Sequence, residues 1–211
     1  MISDLPVVLA PSQRETLDAY VGQMERVNQR VNLVARPAVR ADLERHVRHC
    51  LTLATRPFPD GAVVVDWGTG GGLPAIPLAI AFPSIQMMAV DAVGKKTEAV
   101  KLFARRLGIE NVDVWNGRAE AYDGPEPHLS VSRATAPLAS LWAWHTRVRA
   151  PLDEIPEGGW PAGLVCLKGG DLGSEMADLA RQFPEAVVTH APLTDLLGEE
   201  WADKAIVTVT D

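Results

Sequence analysis

Residues 63–91 contain two aspartates and four glycines whose types and spacing suit the binding of a small charged ligand. Asp66 ends a valine-rich run, and Asp91 ends the next hydrophobic run, 21 residues after Gly70. Glycine has no Cβ, so a loop built from it adopts positive φ readily and brings its backbone close to a ligand. A carboxylate at the end of the second strand of such a unit can accept hydrogen bonds from ribose hydroxyls. These residues therefore predict a binding loop for an adenosine-containing cofactor. The loop glycines are Gly68, Gly70, Gly71 and Gly72.

Two classes of adenosine cofactor are compatible with these glycines. Gly70-x-Gly72-x-x-Ala75 fits the relaxed dinucleotide fingerprint. However, the charge of Asp66 would oppose a pyrophosphate, and Pro74 removes an N–H from the helix start that should bind it. S-adenosylmethionine has no phosphate, and its ammonium and sulfonium are cationic, so Asp66 would favour its binding. The alternation of Asp66 with the glycines is therefore interpreted as a methyltransferase loop, and an NAD-dependent oxidoreductase is the weaker alternative.

The elements that position this loop are predicted from hydrophobic periodicity. Residues 12–34 have the pattern of an amphipathic helix, with Ser12 and Glu15 as a capping box, and a second helix is predicted over residues 39–55. After Pro57, short β-branched runs alternate with helical stretches, which predicts a parallel sheet covered by helices on both faces. The last two runs, joined only by a loop, predict a closing antiparallel pair. The predicted strands are 62–66, 85–91, 112–116, 129–132, 163–167, 185–191 and 204–210, and the predicted intervening helices are 74–81, 95–107, 137–149 and 173–182.

The charge of the chain is distributed unevenly. The formal net charge is −7, yet residues 26–56 contain seven arginines against only Asp42 and Glu44. A local basic patch binds phosphate even when the total charge is negative, so this window is a candidate RNA-binding surface. The alternative is a solvated helix face.

The remaining composition indicates an intracellular protein. No apolar run is long enough to span a membrane and no signal peptide is apparent, so we expect a cytoplasmic location. Cys50 and Cys166 are expected to be reduced, buried thiols. His46 and His49 could share a helix face, but no third ligand accompanies them, and no metal site is expected.

Several segments, in order, carry a family resemblance. They are "VVVDWGTGGGLPAIPLAIAFP", "AVDAVGKK", "LGIENVDVWNGRAE", "VSRATAPL" and "CLKGGDL", with "VNLVARPAVRADLERH" upstream. Over about residues 15–210 the chain resembles the RsmG (GidB) family, the small-subunit ribosomal RNA guanine-N7 methyltransferases.

The resemblance implies an α/β fold of the class I S-adenosylmethionine-dependent methyltransferases over residues 59–211, preceded by a basic N-terminal helical cap over residues 1–58. This fold has a Rossmann-like, mostly parallel sheet. The implied cofactor is S-adenosylmethionine, and the implied partner is 16S rRNA or an assembling small ribosomal subunit. We expect a monomer. The cofactor contacts implied by the family are Gly68, Leu73, Ala119, Glu120 and Arg133, to which the loop interpretation adds Asp66, Gly70, Gly72 and Asp91.

The chemistry implied by the family requires no general base, because guanine N7 is a lone pair that carries no proton at neutral pH. Positioning and cationic donors near guanine O6 should carry the reaction, so no single catalytic residue is assigned. The candidates for the cationic donor are Arg133, Lys168 and Arg45. A stacked target base would have to be flipped out.

The chain also departs from the family pattern. The departures at His49, Cys50 and Ala75 affect the expected RNA contacts more than the cofactor loop. A small-molecule methyltransferase and a noncatalytic RNA-binding assembly factor are the alternative functions.

Overall fold

The computed structural model describes residues 2–34, 39–133, 135–152 and 154–211. Within these ranges the chain forms one mixed sheet with helices on both faces. The strands are β1 (Val63–Trp67), β2 (Gln86–Asp91), β3 (Val112–Asn116), β4 (Leu129–Arg133), β5 (Gly163–Gly169), β6 (Val187–Pro192) and β7 (Lys204–Thr210). The helices are α1 (Pro11–Asn28), α2 (Arg40–Leu51), α3 (Ala75–Ala81), α4 (Gly94–Leu107), α5 (Leu138–Val148), α6 (Gly173–Gln182) and α7 (Thr194–Leu197).

The strand order is β3-β2-β1-β4-β5-β7-β6. The first five strands are parallel to one another, whereas β7 is antiparallel to both β5 and β6. This topology confirms the predicted α/β class I methyltransferase fold and the closing antiparallel pair. The connection between β6 and β7, predicted as a plain loop, contains α7 and a short 3-10 turn. The strand order reverses beside β1, so a crevice forms at the carboxyl ends of β1 and β4.

The N-terminal helices pack on the same core as the sheet. Leu17 and Tyr20 of α1 and Leu43 of α2 are fully buried in one cluster with Val64 of β1. Burying these side chains is the main reason that α1 and α2 lie against the sheet. The division into two domains at residue 58 stays a prediction. Within the described ranges, no helix is long and apolar enough to cross a membrane.

The first helix differs from its predicted bounds at both ends. It starts at Pro11, and the Gln13 side chain accepts a hydrogen bond from the N–H of Ala10 (2.9 Å). The predicted capping box of Ser12 and Glu15 is wrong, because Ser12 already lies inside the first turn. The helix ends at Asn28, whose side-chain oxygen accepts hydrogen bonds from the N–H groups of Leu33 and Val34. These bonds turn the chain towards the glycine loop, where periodicity had predicted continued helix.

The predicted second helix is α2 followed by a 3-10 turn over Thr52–Thr55. The other predicted strands and helices agree with the structure to within two residues. Cys50 and Cys166 are fully buried, as expected. Burial raises the pKa of each thiol to about 12.

Candidate cofactor and substrate site

A cavity of about 450 Å³, here called the first cavity, opens at the carboxyl ends of the parallel strands. Its walls come from the loop after β1, the end of β2, the segment after β3 and the end of β4. Among the predicted site residues, those on its wall are Gly68, Gly70, Leu73, Asp91, Ala119, Glu120 and Arg133. Residues far apart in sequence therefore converge here, because parallel strands end at one edge of the sheet.

The glycine loop needs glycine for both conformation and space. Gly68 and Gly70 have φ of 74° and 58°, in the left-handed region that disfavours other residues. A Cβ at Gly68 would also collide with the side chain of Thr135. The loop is thus tightly apposed to the segment after β4, and its backbone forms one wall of the first cavity.

Asp91 fixes the loop to the end of β2. Its Oδ2 accepts a hydrogen bond from the N–H of Gly70 (2.9 Å), and its Oδ1 accepts one from the N–H of Val93 (2.8 Å). The ammonium of Lys96 lies 3.8 Å from Oδ2. Because a carboxylate oxygen accepts more than one hydrogen bond, Asp91 can hold the loop and still bind a ligand hydroxyl.

Asp66 and Gly72 do not lie on the wall of the first cavity. The Asp66 carboxylate is fully buried, and its Oδ2 accepts a hydrogen bond from the N–H of Ala75 (3.1 Å) at the start of α3. Its Oδ1 has no hydrogen-bond partner among the described residues. Burial raises the pKa of Asp66 to about 7. The structure therefore places Asp66 beneath the loop, holding the first turn of α3, rather than facing the cavity.

The N-terminal helices contribute directly to the first cavity. The Tyr20 hydroxyl, fully buried, donates a hydrogen bond to the carbonyl of Gly71 (2.7 Å). Leu33, held by Asn28, lies on the cavity wall, and its Cβ would be 3.1 Å from a Cβ placed at Gly71. The outer side of the glycine loop is therefore supported by residues that precede the sheet in sequence.

A second cavity of about 520 Å³ lies beside the first. The two share Arg133 and Thr135 on their walls. The other polar residues of the second cavity are His46, His49, Lys168, Glu175 and Lys204. The polar part of its lining therefore consists mostly of hydrogen-bond donors, three of which are the cations Arg133, Lys168 and Lys204.

The protonation state of His46 follows from its burial and from its contact with Arg133. Burial, together with the charge of Arg133, lowers the pKa of His46 to about 4, so its imidazole is neutral at pH 7. Arginine only donates, so His46 Nδ1, 3.3 Å from Arg133 Nη1, must be the acceptor. His49 is also neutral, because burial lowers its pKa to about 3. Arg133 forms no ion pair with Asp66 or Asp91 among the described residues, and its Nε is buried without a partner.

The three candidate donors occupy different places. Arg133 lies between the two cavities, and Lys168 lies on the wall of the second, where its ammonium donates to Glu175 and to the carbonyl of Ala136 (2.6 Å each). Arg45 lines neither cavity. Its guanidinium lies over the ring of Trp201, 4.4 Å from the centroid, because the segment before β7 folds back onto α2.

The other arginines of the basic window are partly engaged within the protein. Arg40 pairs with Asp18 (2.6 Å) and Glu44 (2.9 Å). Arg48 donates to the carbonyl of Asp4. Arg26 and Arg30 are exposed. Arg36 lies outside the described residues.

Sequence reasoning missed several residues of the first cavity, namely Leu33, Lys96, Arg118, Thr135 and Trp144. Lys96 carried a signal, because it follows Asp91 at the start of the next helix. Leu33 lies in the upstream segment VNLVARPAVRADLERH, which forms part of the family resemblance. Trp144 is on α5 and is brought to the site only by tertiary packing, for which no local pattern exists.

Comparison with known proteins identifies the family. Residues 13–155 match the family model GidB, described as rRNA small subunit methyltransferase G. A ribosomal RNA small subunit methyltransferase G from Salinibacter ruber is 53% identical over 203 residues, covering 95% of this chain and 94% of its own. This chain belongs to the GidB family. A protein of the same name from Chlorobium luteolum is 38% identical over 197 residues, with 90% of this chain and 79% of its own covered. These matches confirm the family predicted from the sequence motifs.

Solved structures show that the GidB chain shares its fold with distant methyltransferases. A precorrin-6y C5,15-methyltransferase from Geobacter metallireducens superposes with a TM-score of 0.60 at 15% identity, covering 84% of this chain and 94% of its own. An O-methyltransferase from Bacillus cereus, in complex with SAH, superposes with a TM-score of 0.57 at 15% identity, covering 100% and 95%. Likeness at this level of identity supports the fold class and not a substrate.

Proposed function

We propose that this GidB protein transfers a methyl group from S-adenosylmethionine to N7 of a guanine in 16S rRNA. The observation that carries the proposal is the junction of the two cavities at Arg133 and Thr135. One cavity has a glycine loop and a carboxylate suited to a ribose. The other has donors suited to the N7/O6 edge of guanine, which presents only acceptors.

The residues of the first cavity fit the proposed cofactor. The glycine backbone at Gly68 and Gly70 lines the cavity with no side chain between it and a ligand, and Asp91 has lone pairs left for two hydroxyls. Leu73, Ala119 and Glu120 would complete the adenosine and methionine contacts. S-adenosylmethionine supplies an electrophilic methyl group on a sulfonium. We propose that Asp66 and Gly72 act indirectly, by shaping the loop, because neither lies on the cavity wall.

The residues of the second cavity would position the base and stabilise charge. Guanine N7 needs no deprotonation, so the site requires no general base. Neutral His46 accepts from Arg133 and so fixes the direction of its guanidinium. The ammonium of Lys168 makes two hydrogen bonds, which leaves one N–H to donate to guanine O6. Arg133 and Lys168 are therefore the catalytic candidates, and Arg45 is assigned to the packing of α2 instead.

The proposed partner is 16S rRNA, either free or in an assembling small subunit, and we propose that a cytoplasmic monomer acts on it. Residues 1–58 would form the basic cap, with Arg26 and Arg30 among its exposed cations. Phosphate contacts from such arginines position RNA without reading its sequence.

The test is incubation with labelled S-adenosylmethionine and small-subunit RNA or particles that lack the modification. We expect transfer by the wild type and strong loss with Arg133→Ala. The control is Arg149→Ala, because Arg149 pairs with Asp211 outside both cavities. Transfer to small molecules but never to RNA would indicate a small-molecule methyltransferase. RNA binding with no cofactor binding would indicate a noncatalytic assembly factor.

A further inference from the structure

The second cavity contains one carboxylate among its donors. On its wall, Glu175 of α6 stands with the cations Arg133, Lys168 and Lys204 and two neutral histidines. The cavity volume, about 520 Å³, is in the range of small-ligand sites. A ligand that complements it needs acceptors for most of its contacts and at least one donor directed at Glu175.

Glu175 is held in a fixed position with one oxygen available. Its Oε2 accepts hydrogen bonds from the Lys168 ammonium (2.6 Å) and from the N–H of Leu138 (3.0 Å). Its Oε1 accepts no hydrogen bond from a described residue, and the side chain is 31% exposed. Two donors on one oxygen fix the carboxylate, so the second oxygen is a preorganised acceptor.

The hydrogen-bond donors and acceptors on the edges of a purine determine which base fits the cations and Glu175 of the second cavity. Guanine has two acceptors, N7 and O6, on one edge, and two donors, N1–H and N2–H, on the adjoining Watson–Crick edge. Adenine has an acceptor at N1, which would face the carboxylate without a proton between them. Enzymes that flip a base commonly read its Watson–Crick edge by hydrogen bonds.

We infer that Glu175 selects guanine by accepting a hydrogen bond at Oε1 from the N2 amino group of the target base. Arg133 lies where the two cavities meet, and Glu175 lines only the second. A guanine with N7 directed towards the first cavity therefore has its Watson–Crick edge directed away from it, towards the Lys168–Glu175 pair. The Lys168 ammonium then lies between Arg133 and Glu175, opposite guanine O6. This inference rests on the proposed function and adds the residue that determines base specificity.

The test compares small-subunit RNA with guanosine or inosine at the methylated position, because inosine lacks only the N2 amino group. For the wild type, kcat/KM should be at least about tenfold lower on inosine, as expected for a lost hydrogen bond to a charged acceptor. In Glu175→Ala the two RNAs should react within about twofold of each other. Glu175→Gln keeps a neutral acceptor for Lys168 and Leu138 but directs its amide NH2, a donor, at the base, so it too should bring the two rates within about twofold. Asp178→Asn, an exposed position on the same helix, should keep the wild-type ratio.

The outcomes separate a specificity role from a structural one. Convergence of the guanosine and inosine rates in Glu175→Ala supports the inference. An equal loss on both RNAs, with the wild-type ratio retained, overturns it and leaves Glu175 as a support for Lys168. Should Glu175→Ala fail to fold, a ratio unchanged from wild type in Glu175→Gln has the same meaning. If the wild type methylates the guanosine and inosine RNAs equally well, the inference is overturned while the proposed function stands. If the wild type never methylates the guanosine RNA, both are overturned.

Discussion

Asp91 is the position where the structure most changes the expected effect of a mutation. From the sequence, Asp91→Ala would remove two hydrogen bonds to a ribose, at about 1–2 kcal/mol each. The structure adds two backbone bonds, from Gly70 (2.9 Å) and Val93 (2.8 Å), to a carboxylate that is only 7% exposed. The substitution should therefore weaken the cofactor site and also release the glycine loop.

The magnitude follows from these contacts. Loss of the ribose bonds alone should reduce affinity for S-adenosylmethionine by about 2–4 kcal/mol, or roughly 30- to 1,000-fold. Loss of the two backbone bonds should also lower the free energy of unfolding of the ligand-free protein by about 2 kcal/mol or more, since each bond has a charged acceptor. Asp91→Ala should therefore show both a lower cofactor affinity and a lower free energy of unfolding.

The assay is calorimetric titration with S-adenosylmethionine, together with urea unfolding of the ligand-free protein. Asp113→Asn is the control, because Asp113 lies exposed on the neighbouring strand β3, where its carboxylate accepts a hydrogen bond from the Gln86 side chain. A folded Asp91→Ala variant that binds the cofactor with unchanged affinity would refute the ribose assignment. Unchanged unfolding would refute the role of Asp91 in holding the loop.

Three other expectations test the supports around the site. Tyr20→Phe removes the hydroxyl that donates to the Gly71 carbonyl and should lower cofactor affinity or stability by about 1–3 kcal/mol in total; calorimetry and urea unfolding that both match wild type would contradict this. Replacing Arg26 and Arg30 by Gln should reduce the steepness with which the log of the RNA-binding constant falls with log salt concentration, by roughly 0.7 per arginine. Arg181→Gln should not change this slope. Equal slopes for the wild type and the Arg26 and Arg30 variant would show that these arginines belong to a solvated helix face. The native pKa of Asp66, about 7, exceeds its unfolded value of 3.8, so its contribution to stability is present below pH 4 and lost as pH rises towards 7. The free energy of unfolding, measured at pH 5 and pH 8, should show this loss in the wild type and not in Asp66→Asn. The same pH dependence in both proteins would disprove the assignment to Asp66.

Most of the fold was predictable because its signals are local. Alternating hydrophobic runs and helices from Val63 onward predict a parallel sheet, and the strands found agree closely. The insertion of β7 between β5 and β6 was not predictable, because strand order depends on pairing between distant segments. The end of α1 was also missed, since the hydrophobic pattern continues past Asn28 while its side chain caps the turn.

The site was predictable to the extent that strand ends determine it. Gly68, Gly70, Asp91 and Arg133 follow or end strands, and the parallel sheet brings them to one edge. Asp66 also ends a strand region, yet its side chain points beneath the loop, which a residue's position in the sequence does not reveal. The stacking of Arg45 on Trp201 depends on a contact across 156 positions. Such contacts carry no signal in a single sequence.

The central claim, methylation at guanine N7, is tested most directly by the chemistry of the product. A methyl group on N7 leaves a fixed positive charge on the imidazole portion of the base, and reduction then makes the strand sensitive to aniline. RNA treated with the protein and S-adenosylmethionine should gain one new aniline-dependent break, at a guanine of the 16S rRNA. Methyl incorporation into that RNA without any aniline-sensitive position would contradict the N7 assignment.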